Sequence, residues 1–277
     1  MPEAMRVMVV TAQPEIDCAA AAARCVVQTH EALAGFLRAG RTLAEVDQFV
    51  ADTLKTLNCR SCFLRYRIPG HPPFPSHSCL SLNDCIVHGT HDLTADPIKP
   101  GDVFSIDIGV VHRGFIGDAA WTYAIEHATP DARALMQCGK VSLSRGIEAI
   151  RPGRPLIDWA RAVQRYVERE CGFHLVRHLG GHGYGRKLHG PPFVSNVVPR
   201  HIHEWPDAFK SFEPGLLLAL EPMISPTTGE TRNRARSWPI YTADGSLSVH
   251  YEADVMVTED GATNLTQGLF DLPDVVG

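Results

Sequence analysis

Carboxylates occur in this sequence at places where apolar strand residues surround them. Asp107 interrupts one apolar run, Glu221 ends a second, and Glu252 lies within a third. A buried carboxylate costs free energy unless it is paired or bound to a metal. One such residue could be a strand end that faces solvent or the partner of a buried arginine, but three together favour a shared polar site.

Two further residues can join these carboxylates. The turn Gly114–Gly117 separates Asp118 from the strand that carries Asp107, and a hairpin there would bring both side chains to one face. His182 is enclosed by glycines in Gly180–Gly185, and such small neighbours let the backbone approach a crowded site closely. An incidental histidine in a flexible loop is the alternative interpretation.

Four carboxylates and one imidazole are more ligands than one hard cation needs. Oxygen-rich ligation with one nitrogen suits Co²⁺, Mn²⁺, Fe²⁺ or Zn²⁺ better than it suits a closed structural zinc site, which would use thiolates. Two such ions about 3.5–4 Å apart hold a hydroxide between them and polarise a carbonyl. The pattern therefore predicts a hydrolytic centre with two divalent metals at Asp107, Asp118, His182, Glu221 and Glu252.

Helical segments must support the strands that carry these residues. Residues 14–39 are Ala-rich and end at Gly40, after which Thr42 and Glu45 fit a capping box at the start of a second helix. The helix–glycine–helix pattern recurs around Gly153. This recurrence indicates an internal pseudo-two-fold repeat.

Strand candidates follow each of the two helical units, and Pro and Gly separate them. We therefore predict an α+β fold in which a curved, largely antiparallel sheet is backed by helices. A single domain is expected over residues 14–267, between an N-terminal tail (1–13) and a C-terminal tail (268–277). The strand candidates are residues 78–82, 103–111, 119–125, 216–220, 239–242 and 247–258.

Composition excludes several classes of protein. The net charge is −5 and no long Lys/Arg run occurs, which disfavours a nucleic-acid surface. No segment reaches the roughly 20 apolar residues of a membrane span, and no export signal is visible. The eight cysteines are therefore expected to be reduced thiols in a cytoplasmic monomer. Cys59 and Cys62 form a CxxC without a matching second pair, so zinc there is a minority interpretation.

The ordered set of five ligands resembles that of the methionine aminopeptidases. These enzymes belong to peptidase family M24 and have the pita-bread fold, which prolidase, aminopeptidase P and creatinase share. The resemblance covers about residues 14–267. It is carried by Ser81–Asp84, Val87-His88-Gly89, Ser105-Ile106-Asp107, Gly117-Asp118, Gly181–Arg186, Leu188-His189, Leu220-Glu221-Pro222-Met223 and Tyr251-Glu252.

The resemblance implies a division of the metal ligands. Asp107 would chelate one metal, His182 and Glu221 would bind the other, and Asp118 and Glu252 would bridge the two ions. The implied reaction is hydrolysis of the first peptide bond, which removes the initiator methionine from nascent polypeptides.

The resemblance also implies the groups that act on the substrate. Glu221 would take the proton from the bridging water. His189 would hydrogen-bond the scissile peptide, and His88 would lie near the amino end of the substrate and the leaving amide. Transient contact with the ribosome is implied for the same substrates.

An apolar pocket for the methionine side chain is implied as well. His71 and Phe74 stand where bacterial members commonly carry Tyr. Asn83 and Ser248 resemble positions that bind a structural monovalent cation. The implied pocket residues are His71, Phe74, Cys79, Leu188 and Trp238, with His88 and His189 at the scissile bond.

Three departures from the family pattern leave alternatives open. Gly109 and Ala219 replace small hydroxyl residues, and Ala253 stands where a polar residue is common; such losses can lower metal affinity or activity. One alternative is another M24 hydrolase that acts on Xaa-Pro bonds or a small amide. It is disfavoured because only about 13 residues precede the first helix, where those enzymes have a large domain. The other is a non-enzymatic binding protein of the same fold, which retention of all five ligands disfavours.

Overall fold

Two pairs of helices alternate with short strands along the chain. A computed structural model describes residues 7–277. The helices are α1 (Gln13–Phe36), α2 (Leu43–Thr56), α3 (Pro130–Glu148) and α4 (Ile157–Gln164), and α4 continues as a π-helix over Arg165–Glu170. Single 3₁₀ turns span Ile202–Glu204 and Gln267–Asp271.

The strands are short, and nearly all of them pair antiparallel. They are β1 (Arg60–Ser61), β2 (Cys79–Leu82), β3 (Cys85–Val87), β4 (Val103–His112), β5 (Phe115–Ile125), β6 (His174–Leu175), β7 (Gly180–Gly183), β8 (Gly190–Ser195), β9 (Leu217–Leu220), β10 (Met223–Ser225), β11 (Thr231–Asn233), β12 (Ile240–Thr242), β13 (Val249–His250), β14 (Ala253–Val257), β15 (Ala262–Asn264) and β16 (Val275–Val276).

Two five-stranded sheets dominate. The first sheet has the order β1-β4-β5-β16 with β2 also paired to β4, and the second has the order β15-β14-β9-β7-β8. Within residues 7–277, β16 alone pairs in parallel, with β5. The predicted α+β fold with a largely antiparallel arrangement is confirmed.

The two helical units follow the predicted pattern, although α1 ends at Phe36 and not at Ala39. Thr42 caps α2: its hydroxyl accepts a hydrogen bond from the Glu45 N–H at 3.2 Å, and the Glu45 carboxylate accepts from the Thr42 N–H at 2.8 Å. Gly40 and Gly153, which separate the helices of each unit, both have a positive φ (87° and 77°). This shared conformation supports the predicted internal repeat.

Helix α1 lies directly on the first sheet. Its buried side includes Ala22, and at this point β5 carries Gly117. A Cβ atom on Gly117 would lie 2.6 Å from both the carbonyl carbon and the carbonyl oxygen of Ala22. Backbone atoms cannot rotate away as a side chain can, so only glycine permits this contact. The residue before Asp118 therefore sets the distance between α1 and β5.

Replacing Gly117 with alanine is expected to lower the free energy of unfolding by about 2–3 kcal/mol, because α1 must move away from β5. Urea denaturation measures this loss. The matched control is Gly35→Ala, since a Cβ on Gly35 in α1 would meet no atom within 4 Å. That variant should be unchanged or up to about 1 kcal/mol more stable. Equal stability of the two variants would contradict the close contact.

The chain ends differ from the predicted tails. In the segment 268–277, β16 pairs with β5, and the Ala124 N–H donates to the Asp274 carbonyl at 2.8 Å. Near the other end, the Val10 N–H donates to the Gly215 carbonyl at 2.8 Å. Such short apolar segments carry too little periodicity to be recognised as strands. Residues 1–6 of the predicted N-terminal tail lie outside the described residues.

One predicted strand is divided in two. Residues 247–258 form β13 and β14, and the break falls at Tyr251-Glu252. Because of the break, β13 pairs with β10 and β14 pairs with β9. Among residues 7–277, no helix combines the length and apolar character that crossing a membrane requires.

Candidate metal centre

The β4–β5 hairpin brings two of the predicted ligands together. In its register Asp107 pairs with Ala120, and Asp118 pairs with Gly109. Since Gly109 lies two residues after Asp107, the two aspartates share one face of the sheet. The Asp118 N–H donates to a carboxylate oxygen of Asp254 at 3.0 Å, which ties this strand to β14.

The second sheet contributes the other three ligands. His182 in β7 pairs with Ala219 in β9, two residues before Glu221, so these side chains share a face. Leu220 pairs with Ala253, and this register places Glu221 and Glu252 at the adjoining ends of their strands. The Glu252 N–H donates to the Ala120 carbonyl in β5 at 2.9 Å. The two sheets therefore meet at the five predicted ligands.

His182, Asp118 and Glu221 converge at distances suited to an intervening cation. His182 Nε2 lies 3.7 Å from Asp118 Oδ2 and 4.0 Å from Glu221 Oε1, which is too far for a hydrogen bond. His182 Nδ1 lies 3.1 Å from the Gly183 carbonyl oxygen, which can only accept, so Nδ1 carries the proton. The Nε2 lone pair is therefore directed toward the carboxylates.

Electrostatics also favour bound cations. Burial raises the pKa of Asp107 to about 7 and the pKa of Glu221 to about 8. Burial, followed by the charges of neighbouring carboxylates, raises the pKa of Asp118 and of Glu252 well above the usual range. Asp107 Oδ1 and Asp118 Oδ1 are buried without a hydrogen-bond partner among residues 7–277. Divalent cations would satisfy these oxygens and offset their repulsion, so the donor set fits a metal centre.

A second imidazole in this cluster was missed by the sequence interpretation. His250 Nε2 lies 3.3 Å from Glu221 Oε2 and 3.9 Å from Glu252 Oε2. Ser105 and Thr122 hold its backbone, since both hydroxyls accept from the His250 N–H. The signal that could have found it is its place two residues before Glu252 in an apolar segment.

In this cluster, two sets of three residues could each hold an ion, because the ligand atoms of each set lie within 4.8 Å of one another. One set is Asp118, His182 and Glu252, and the other is Glu221, His250 and Glu252. Burial lowers the pKa of His250 to about 4, so the ring is neutral at neutral pH. A neutral imidazole beside Glu221 can orient that carboxylate or bind a cation directly.

A cavity of about 270 Å³ opens onto these ligands. Phe74 and Trp238 meet edge to face in its wall, with ring centroids 5.3 Å apart. Of the residues predicted to contact the substrate, the cavity is lined by Phe74, Cys79, His88, Leu188, His189 and Trp238. It is also lined by Phe63, Tyr66, Ile68 and Val87, which the sequence interpretation did not include.

His71 does not line this cavity, contrary to the prediction. Its ring packs against Trp238, with centroids 5.2 Å apart. The His71 N–H donates to the Ile68 carbonyl at 3.3 Å in a turn that continues through Gly70, whose φ is +83°. This turn brings Ile68 to the wall of the cavity, and His71 supports the indole.

The other two histidines, His88 and His189, both line the cavity. His88 has a positive φ of 58°, and burial lowers its pKa to about 4, so it is neutral at neutral pH. His189 lies at the exposed rim, where its ring centroid is 4.4 Å from that of His182. A peptide entering the cavity would therefore meet two imidazoles besides that of His182.

Tyr66 holds the ring of His189. Its hydroxyl lies 2.7 Å from His189 Nδ1. If Tyr66 donates this hydrogen bond, the His189 proton is on Nε2 and is available to a substrate carbonyl. The segment that carries Tyr66 has no strand or helix periodicity, which is why the sequence did not reveal the contact.

Replacing Tyr66 with phenylalanine is expected to lower kcat roughly tenfold, the rate equivalent of one hydrogen bond worth about 1.4 kcal/mol. KM should change little, because the hydroxyl contacts His189 and the ring stays in place. Steady-state kinetics on a peptide substrate measure both values. Tyr166→Phe, outside the cavity, is the matched control, and an unchanged kcat for Tyr66→Phe would contradict the role.

Comparison with known proteins identifies relatives of the whole chain. Residues 17–259 match the sequence model of metallopeptidase family M24. Methionine aminopeptidase 1 of Bacillus subtilis is 33% identical over 246 residues, covering 89% of this chain and 94% of the relative.

Solved structures show the same likeness in three dimensions. The methionine aminopeptidase of Rickettsia prowazekii superposes with a TM-score of 0.86 at 26% identity, covering 94% of this chain and 100% of the other. That of Thermotoga maritima superposes with a TM-score of 0.84 at 30% identity, covering 94% and 99%.

Proposed function

This chain belongs to metallopeptidase family M24, and on that premise we propose that it is a methionine aminopeptidase, which hydrolyses the first peptide bond of polypeptides that begin with methionine. The observation that carries the proposal is the cavity of about 270 Å³ whose apolar end adjoins the carboxylate–histidine cluster. Similarity to the methionine aminopeptidase of Bacillus subtilis supports the same assignment.

We propose two divalent ions, held as the resemblance implies by Asp107, Asp118, His182, Glu221 and Glu252. Such ions supply Lewis acidity and lower the pKa of water in the site. Co²⁺, Mn²⁺, Fe²⁺ and Zn²⁺ all suit these donors. We also propose a monovalent cation near Asn83 and Ser248. The support is a group of oxygen atoms at this position: the Ser248 hydroxyl donates to the Asn83 and Cys85 carbonyls at 2.8 and 3.2 Å.

The residues of this chain then have distinct tasks. Glu221 takes the proton of the attacking water as general base. His189 donates from Nε2 to the oxygen of the scissile carbonyl as negative charge develops there. His88, neutral because burial lowers its pKa to about 4, accepts or donates a hydrogen bond at the leaving amide.

The cavity supports a preference for methionine. Phe74, Cys79 and Trp238 are buried apolar side chains around it. A thioether is unbranched and polarizable, and it makes favourable contacts with aromatic rings. A β-branched side chain would carry its bulk where the cavity meets the ligands, so we expect Val and Ile to be excluded.

We propose that the substrates are nascent polypeptides in the cytoplasm, met by a monomer during transient contact with the ribosome. The eight cysteines are all free thiols, which supports a reducing compartment.

A peptide assay tests the function. Protein stripped with a chelator is replenished with Mn²⁺, Fe²⁺, Co²⁺ or Zn²⁺ and given Met-Gly-Met-Met, Val-Gly-Met-Met or an Xaa-Pro peptide. The expected result is metal-restored release of Met alone. Release only before Pro would favour a prolidase-like enzyme, and no release with any metal would contradict the proposal.

A further inference from the structure

Two cysteines and a histidine converge outside the cavity. One ligand atom each of Cys25, Cys59 and His112 lies within 4.8 Å of the other two. Cys59 Sγ is 3.4 Å from His112 Nδ1. None of the three residues lines the cavity or contributes to the five-ligand cluster. We call this group the thiol–histidine cluster.

Three separate elements build the thiol–histidine cluster. Arg60 in β1 pairs with Val111 in β4, so Cys59 and His112 are the next opposed positions of this antiparallel pair. Helix α1 packs on β4 and contributes Cys25, whose side chain is buried. Cys59 and His112 are only half-buried, so a solute can reach them.

We propose that Cys25, Cys59 and His112 form a second metal site, which binds Zn²⁺ through two thiolates and one imidazole and leaves the fourth position to water. With Zn–S near 2.3 Å and Zn–N near 2.0–2.1 Å, a tetrahedral site places sulfur and nitrogen about 3.6 Å apart. The 3.4 Å between Cys59 Sγ and His112 Nδ1 is close to that value. Thiolates also select zinc over the harder cations that carboxylates prefer.

Zinc binding must release protons here. Burial, followed by the neighbouring Cys25 thiol, raises the pKa of Cys59, so the Cys59 thiol is protonated in the metal-free protein. A Zn²⁺ ion bound as a dithiolate displaces the proton of each S–H bond, two in all, while His112 binds as the neutral ring. The displaced protons make the affinity fall as the pH falls.

Occupancy would join α1, the start of β1 and the end of β4. The chain runs from Cys59 to Cys62, whose N–H donates to the Gly109 carbonyl at 3.0 Å, and then to Phe63 in the cavity wall. A ligand that binds only the folded protein raises its stability by mass action. We therefore expect zinc at this site to raise the Tm of the chain.

Cobalt provides the test, because Co²⁺ replaces Zn²⁺ and thiolate ligands give it a charge-transfer absorption that oxygen ligands do not. Full-length reduced protein is titrated with Co²⁺ and then with Zn²⁺. The expected result is a thiolate band that Zn²⁺ removes, with two protons released per ion. Cys25→Ser and Cys59→Ser should lose the band. His112→Gln should weaken binding at least about tenfold, as loss of even an outer-shell partner does.

The matched control is Cys171→Ser, which removes one thiol of the contacting pair Cys138 and Cys171 and should leave the band unchanged. A band that survives Cys59→Ser would overturn the proposal, as would equal zinc contents of that variant and the unmodified chain. The proposal would also be overturned if Cys25 and Cys59 formed a disulfide and reduction of that disulfide left zinc uptake unchanged. Peptidase activity with added metal should persist in Cys59→Ser, which separates this test from that of the proposed function.

Discussion

Replacing Asp118 with asparagine is expected to leave the five-ligand centre with almost no bound Mn²⁺ and to lower kcat/KM by at least about 10³-fold, or roughly 4 kcal/mol of transition-state stabilisation. The change keeps the size of the side chain and removes its charge. Asp118 lies on the shared face of the β4–β5 hairpin, 3.7 Å from His182 Nε2, where it would bridge both ions. Metal analysis after dialysis and steady-state kinetics measure the two losses.

In the absence of metal, the same substitution is expected to raise the thermal stability of the protein. Burial and the charges of Asp107 and Asp254 raise the pKa of Asp118, so an ionised carboxylate there destabilises the protein without metal. Metal-free Asp118→Asn should therefore unfold at a higher temperature than the metal-free unmodified chain, yet gain no stability from added Mn²⁺, which the thiolates of the thiol–histidine cluster do not favour. Asp96→Asn, at an exposed position, is the matched control. Full metal content in Asp118→Asn would remove Asp118 from the ligand set.

Replacing His189 with alanine is expected to retain the metal and to lower kcat by about 10²–10⁴-fold, the usual contribution of a positioned acid or base. His189 stands at the rim, and its contacts are with the Tyr66 hydroxyl and the face of His182. Metal content and KM should change little, because the ring is proposed to act on the developing oxyanion. Loss of metal along with turnover would contradict this assignment.

A double-mutant cycle separates positioning from packing. If Tyr66 acts only by orienting His189, Tyr66→Phe should have no further effect on kcat once His189 is alanine. A tenfold loss that persists in that background would mean that Tyr66 contacts the substrate directly. His203→Ala, at an exposed position, controls for the loss of an imidazole.

The surroundings of the metal centre explain one of the three departures from the family pattern and show where the other two lie. Gly109 is the partner of Asp118 across the hairpin, and a Cβ there would lie 2.4 Å from Cys62 Sγ and from a ring carbon of Phe63. Glycine at this position is thus explained by close packing. Ala219 pairs with His182, and Ala253 pairs with Leu220, so both substitutions sit beside the ligands in the second sheet.

The amino-acid sequence is enough to predict the parts of this protein that depend on local pattern. The capping box at Thr42, the hairpin that brings Asp107 and Asp118 to one face, and the carboxylates at strand ends all follow from residues a few positions apart. Side chains alternate between the two faces of a strand. Once the position of the turn is known, the face that each side chain occupies follows without any knowledge of tertiary contacts. The ligand set itself rested on these placements together with a family resemblance.

Contacts between segments that are distant in sequence became known from the tertiary structure and could not be predicted from local spacing. His250 reaches Glu221 because β13 separates from β14, Tyr66 reaches His189 from a segment without periodicity, and β16 joins the first sheet at the end of the chain. The thiol–histidine cluster likewise depends on how α1 packs against β4. Such pairings are selected by shape and burial across the fold, and no local spacing encodes them.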